Sequence, residues 1–265
     1  MQAFKKYWKI FWRFRKLELM RMMEYRGDFL FWALVSILWT GFNFFFFSLI
    51  LRVSDTVAGW TADEMYLLLG TFTLLDAFTW TFFYQNMQRY TRHVFTGSLT
   101  MLLTKPISTI FLLTTSSNSF NNIFRFLIGC AAIVISLHRM EITPSISSVV
   151  LYFFALMAAA LFIYAIWFMA STLSFWIEKL DNINEIIPGL RRVMQVPRGV
   201  FAGAASVLFT VLLPISLVAS VPSEILLQKA ETKWVVWLFV SSFLSLLLAR
   251  KFFYFAIKRY SSVGN

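Results

Sequence analysis

Six long apolar stretches, at about residues 29–51, 65–85, 110–137, 148–176, 205–221 and 234–256, constrain this chain more than anything else in it. A bilayer's hydrocarbon core is about 30 Å thick, and a helix rising about 1.5 Å per residue needs about 20 apolar residues to cross it. Most of these stretches meet that length. Composition argues against a water-soluble domain. Charged residues make up 14% of the 265-residue chain and hydrophobic ones 59%, whereas an ordinary globular domain is roughly 25% charged. The sequence therefore predicts an all-α membrane protein with six transmembrane helices.

The segments between the stretches set the rest of the layout. Residues 1–28 carry Lys5, Lys9, Arg13 and Lys16 at helical spacing, with Phe4, Tyr7, Phe11 and Phe14 on another face. That pattern predicts an amphipathic interfacial N-terminal helix with its aromatics toward the apolar side and its cations toward lipid phosphates. A signal peptide does not fit, because the basic region is too long and no short apolar core with a cleavage site follows. Pro144 ends the turn between the third and fourth stretches. Pro222 is expected to close the fifth, and Pro214 to kink it. Residues 177–204 hold Glu178, Lys179, Asp181, Glu185, Arg191, Arg192, Pro188 and Pro197. They are too charged to span in contact with lipid and read as an interfacial or partly re-entrant helix. The residues also admit the converse arrangement, a true span there with 205–221 re-entrant.

Charge placement gives orientation. The formal charge is +11, but most cations flank apolar stretches, where lipid headgroups and the positive-inside rule account for them better than nucleic acid does. With the amino terminus inside, 19 of the 24 Lys and Arg fall in inner segments and four in outer ones. Both termini are therefore expected in the cytoplasm of a multi-pass protein of the cell (inner) membrane. The single cysteine, Cys130, lies in an apolar run, and His93 and His138 have no cluster of ligands beside them. No metal or haem site is expected.

Two features carry candidate function. The loop 86–109 is longer than a helix connection needs. Gln88 to Phe95 fits a short polar helix ended by Gly97, followed by an apolar patch of Leu99, Met101 and Leu102 before Lys105-Pro106. This is either a docking element for a soluble partner or an ordinary positive-inside loop. The second feature is polar residues at membrane depth, where ionisable groups cost a few kcal/mol or more and normally find a partner. Asp76 lies mid-way along the second stretch and Arg125 at a comparable depth on the third, so the two are expected to pair. Asn118, Asn122 and Arg125 are also placed on one helical face that would line a cavity. Structural glue between helices is the plainer reading of the same residues. Most tryptophans, Trp167 among them, are expected near span ends as interfacial anchors. No phosphate loop, H-E-x-x-H or G-x-S-x-G occurs, so enzyme chemistry is not expected of this chain.

The order of parts resembles the membrane subunit of ATP-binding-cassette type-2 exporters, in the form encoded apart from its ATPase. The local matches are Glu24-Tyr25-Arg26-Gly27-Asp28-Phe29, then Gly97-Ser98-Leu99 through Leu103-Thr104-Lys105-Pro106. Later ones are Ser174-Phe175-Trp176, Leu213-Pro214 and Val221-Pro222. The resemblance implies that 86–109 is a cytoplasmic coupling helix seated on an ATPase through Arg89, Tyr90, Arg92, His93 and Phe95. It implies that 1–28 is a connecting helix preceding a transmembrane domain at 29–265. The pathway would run along the interface with a second permease, identical or related, lined by the first, second and fifth spans. Two ATPase subunits would hold the ATP and magnesium, and no cofactor is expected in this chain. The absence of an importer-type E-A-A loop favours export of a drug, lipid or glycan. The other classes left open are a membrane scaffold or assembly protein without transport and a lipid-modifying membrane enzyme.

Overall fold

A computed structural model describes residues 2–53, 56–177 and 185–260. Among the described residues the regular structure is helical, apart from an isolated β-bridge between Val57 and Trp60. Helix α1, Gln2–Glu24, runs almost without interruption into α2, Arg26–Val53. Only Tyr25 falls between them, and its N–H still bonds Arg21 O while its own carbonyl receives Phe29 N–H. α2 buries little beyond Ala33, Ser36, Thr40 and Phe47. Its other faces expose Phe31, Trp32, Leu38, Trp39, Phe42, Phe45 and Phe46, as lipid or another membrane helix requires.

The second stretch becomes α3, Ala62–Thr79, a π-helical turn at Trp80–Tyr84 and α4, Gln85–Phe95. Glu64 starts it by accepting from Thr61 N–H at 3.0 Å, half of a capping box. The three pieces form one 34-residue helix, about 51 Å long at 1.5 Å per residue. That exceeds a bilayer core, so the α4 end projects beyond it. α3 is buried on nearly every side and is the axis of the bundle.

The third stretch, expected as one helix, is broken. A short helix α5, Leu99–Leu103, precedes α6, Thr109–Thr115; residues 116–119 leave helical geometry, and a 3₁₀ turn at Phe120–Asn122 leads into α7, Ile123–Arg139. The spanning part is Phe120–Arg139. α3 and α7 meet at two glycines. A Cβ built on Gly70 would lie 2.9 Å from Ile133 Cγ1 and 3.0 Å from Gly129 O, and one on Gly129 would lie 3.0 Å from Gly70 O. Small residues let membrane helices approach this closely. α8, Ile146–Thr172, is capped by Ser145 Oγ, which accepts from Ser148 N–H at 3.2 Å. It presents Ala155, Ala158, Ala159 and Ala160 to its neighbours, and the last helix, α12, Thr232–Ile257, sends Ser242 Oγ to Ala158 O at 2.8 Å.

The stretch expected as the fifth crossing, 205–221, is sharply bent. α10, Gly203–Ser206, and a π-helical turn at Val207–Leu212 meet α11, Leu217–Leu226, at 79°. Pro214 sits in the bend as predicted, but Pro222 lies inside α11 rather than closing it. Both ends of this bent pair lie beside the loop before α3. Gly199, ahead of it, packs on Ala58, and Lys229, behind it, bonds Glu64 at 2.9 Å. α9, Ile186–Met194, and the residues after it travel the length of α3 instead. Glu185 lies within electrostatic reach of Tyr84, Arg191 meets Asp76, and Gln195 accepts from Asn43 Nδ2 at 3.4 Å. Arg191 and Arg198 are tolerated here because each meets a buried carboxylate, Asp76 and Glu224, whereas Glu185 and Arg192 are exposed. Glu178, Lys179 and Asp181 lie outside the described residues.

The glycine contact gives a direct test. Gly70→Ala is expected to lower stability by about 1–3 kcal/mol through overpacking, whereas Gly41→Ala, with nothing within 4 Å, should stay within about 0.5 kcal/mol. Thermal unfolding of the detergent-solubilised chain compares the two. Equal midpoints would mean that the α3–α7 contact is not held this closely.

Candidate functional site

The buried centre of the bundle is ionic. Arg125 Nη1 and Arg191 Nη2 reach the same carboxylate oxygen, Asp76 Oδ2, at 2.6 and 2.7 Å. The expected Asp76–Arg125 pair therefore exists, with Arg191 as a third member that the sequence reading left in an interfacial segment. The triad ties α3, α7 and α9 together. Arg191 also lies 5.8 and 5.7 Å from the ring centroids of Phe72 and Trp80, so its cation faces aromatic π-clouds. Asp76 and Arg125 are almost wholly buried, where a charge persists only if it is paired.

Asn118, Asn122 and Arg125 do not share the helical face expected of them. Asn118 falls in the non-helical break and Asn122 in the 3₁₀ turn, so no continuous helix spaces them. Both are buried. The break is held by a residue that sequence reasoning missed. Asn86 Nδ2 lies 2.6–2.8 Å from Phe82 O, Thr114 O and Ser117 O, among which its two hydrogens are shared, and its Oδ1 accepts from Ser117 N–H at 2.9 Å. Ser119 N–H bonds Thr81 O at 2.9 Å. The π-helical turn and the break thus satisfy each other's backbone groups, which a low-dielectric site demands. The amide pair Gln85-Asn86 just after the aromatic-rich run 80–84 was the sequence signal for this.

Beyond the break the chain forms a projecting elbow. Gly97, with φ +72°, turns it after α4 in a conformation that suits glycine. Of the residues expected to dock a partner, Arg92 is exposed and Arg89, His93 and Phe95 are half-buried. Tyr90 is not part of an outer face. It is fully buried, with its hydroxyl 3.0 Å from Thr172 Oγ1 and its ring stacked on Phe168, because it lies on the side of α4 that packs on α8. The exposed tip instead comprises Arg92, Thr96, Thr100, Met101, Thr104 and Lys105.

Helix α1 straps this elbow down. Lys6 Nζ donates to Pro106 O at 3.1 Å, and Tyr7 Oη accepts from Ser108 N–H at 3.1 Å. Arg15 bonds Thr115 O, and Glu18 accepts from Ser117 Oγ at 3.2 Å while lying 3.9 Å from Arg89. Tyr7 and Phe14 face the elbow with Arg15 and Glu18, while Phe4 is 72% exposed and packs on no part of the described bundle core. Burial lowers the Arg15 pKa, and Glu18 opposes that effect. At the far end of α12, Tyr260 Oη donates to Gly97 O at 3.0 Å.

Residues 37–264 match a family model described as ABC-2 family transporter protein. The chain belongs to this family. Comparison with curated proteins and with solved structures gave no match. As an ABC-2 family member it is a multi-pass membrane component of a transporter, a family whose membrane subunits are typically non-catalytic. Membership implies association with an ABC ATPase.

Two predictions come from this geometry. Asp76→Asn leaves two arginines without a carboxylate, whereas Arg125→Gln leaves Asp76 paired with Arg191. The first should cost about 3–5 kcal/mol and the second distinctly less, read as folded yield and unfolding midpoint; a larger loss from Arg125→Gln would contradict the shared carboxylate. His93, 2.8 Å from Ser98 Oγ, has its pKa lowered by burial first and by Arg89, Lys105 and Arg92 next. The unfolded chain therefore binds a proton near pH 6.5 that the folded chain does not. Stability contributed by this site is present above that pH and lost as pH falls through the lowered value. His93→Gln should flatten the decline in unfolding midpoint between about pH 7.5 and 5.

Proposed function

We propose that the chain is the permease subunit of an ATP-binding-cassette exporter, moving a hydrophobic or amphipathic substrate (a drug, lipid or glycan) outward by alternating access. Two partner ATPase subunits, holding ATP and magnesium, drive it through the elbow at 96–106. The observation that carries this reading is mechanical. One helix of 34 residues, Ala62–Phe95, carries Asp76 near its middle and ends at an exposed tip, and α1 ties that tip to the break at 116–119. Movement of a docked protein at the tip would reach both the buried ionic centre and the hinge. In this reading the coupling surface is Arg92, Thr96, Thr100, Met101, Thr104 and Lys105, with Arg89, His93 and Phe95 at its margin.

A second permease, identical or related, completes the pathway. The apolar, little-packed α2 supports its placement there, beside the second span and the α9 crossing. Both termini are placed in the cytoplasm of the cell membrane. In support, Lys5, Lys6, Lys9, Arg13 and Lys16 lie at the same end of the bundle as Arg250, Lys251, Lys258 and Arg259, because α1 and Tyr260 meet the same elbow. Residues 186–200 are placed as the fifth crossing, and 203–226 as a re-entrant pair entered from outside.

The test uses the full chain co-expressed with an ATPase from a neighbouring gene. The two are expected to co-purify and to export substrate, and Arg92→Glu or Met101→Glu should cut ATPase stimulation at least about tenfold, the effect of about 1.4 kcal/mol, without changing the unfolding midpoint. Tyr90→Phe should alter stability, not docking. A chain that purifies alone and binds no ATPase at this elbow would end the proposal.

A further inference from the structure

Beside the Asp76 triad lies a small cavity bordered by Asp76, Thr79, Trp80, Trp167, Arg191 and Met194. It has about 10 Å³ in which the centre of a water-sized particle can sit, room for about one such particle. Two of its bordering side chains carry an unmet hydrogen-bonding need. Trp167 Nε1 and Arg191 Nε are both buried and have no acceptor among the described residues, although Trp167 was grouped with the tryptophans expected near span ends. It is instead 1% exposed in the core. Buried polar atoms without a partner are rare enough to call for an occupant.

The character of that occupant follows from the two groups. An indole N–H and a guanidinium N–H only donate, so what sits between them has to accept from both. Charge narrows the choice further. Among the described residues, Arg125 and Arg191 share the single carboxylate of Asp76, which leaves one positive charge uncompensated. Water meets the donors but not the charge. Thr79 does not compete, because its hydroxyl donates to Asp76 O at 3.0 Å. A monatomic anion meets both needs, and the lining side chains would have to give slightly for an ion larger than water.

We infer that this cavity binds one halide-sized anion, chloride under ordinary conditions, held by Trp167 Nε1–H and Arg191 Nε–H as the counter-ion of the Asp76 triad. Its role would be to stabilise the α3–α8–α9 junction, whatever the transporter carries. Ligand linkage then makes stability depend on halide concentration at fixed ionic strength.

The experiment measures the unfolding midpoint of the detergent-solubilised full chain in sodium chloride, sodium bromide and sodium gluconate at matched ionic strength. Chloride and bromide are expected to raise it saturably over gluconate, by about 2–4 °C or more. Trp167→Phe keeps the ring and removes the N–H, so it should shrink that difference by more than half. Arg191→Lys, which keeps the charge but loses Nε, should do the same and serves if Trp167→Phe folds poorly. Crystals grown in bromide should give an anomalous peak in the cavity. Equal midpoints in the three salts, or a full halide effect in both variants, would show that the cavity holds water only and overturn the inference.

Discussion

A single carboxylate oxygen organises this protein. Asp76 Oδ2 receives hydrogen bonds from two guanidiniums carried by different helices, and each of the three groups would be very costly at membrane depth without the others. Because Asp76 sits on the most buried helix, its partners have to come to it. Arg125 fixes the rotation of α7 about its axis, and Arg191 draws a charged, proline-bearing segment through the interior beside α3. The close contact of Gly70 with Gly129 brings α7 near enough for the first bond, so packing and charge support the same arrangement.

Irregular backbone in this bundle is confined to places where it can be satisfied. The π-helical turn at 80–84 and the break at 116–119 lie side by side, and Asn86 acts as a polar wedge between them. Neither would survive facing lipid. Together they join the body of the bundle to the projecting elbow, flanked by the Arg15, Glu18 and Arg89 cluster.

The sequence revealed what hydropathy and spacing can report. Five helices long and apolar enough to cross stand out by length, and the Asp76–Arg125 pair followed from comparable depth on consecutive antiparallel spans. Pro214 marked the bend, and Gly97 the turn after α4. Other features depended on tertiary neighbours that periodicity does not see. Arg191 looked interfacial because its charge is tolerable only beside Asp76. The asparagines at 118 and 122 seemed to share a face because a helix was assumed where Asn86 holds the chain unwound. Tyr90 read as a docking aromatic, yet the 3.6-residue period places it, like Val94, on the buried side of α4. Pro222 looked like a terminator, but a proline within its buried helix is tolerated when protein surrounds the freed carbonyl.

The hydrogen bond from Tyr260 to Gly97 joins residues 163 positions apart, and it bears on the order of biogenesis. The elbow emerges early in synthesis, and α1 is present to brace it from the start. Its last fastening has to wait until the final helix has been inserted and turned back toward the elbow. Until then the elbow is held by α1. Only the fully inserted chain can make this bond, so the elbow reaches its described arrangement when the last helix is in place.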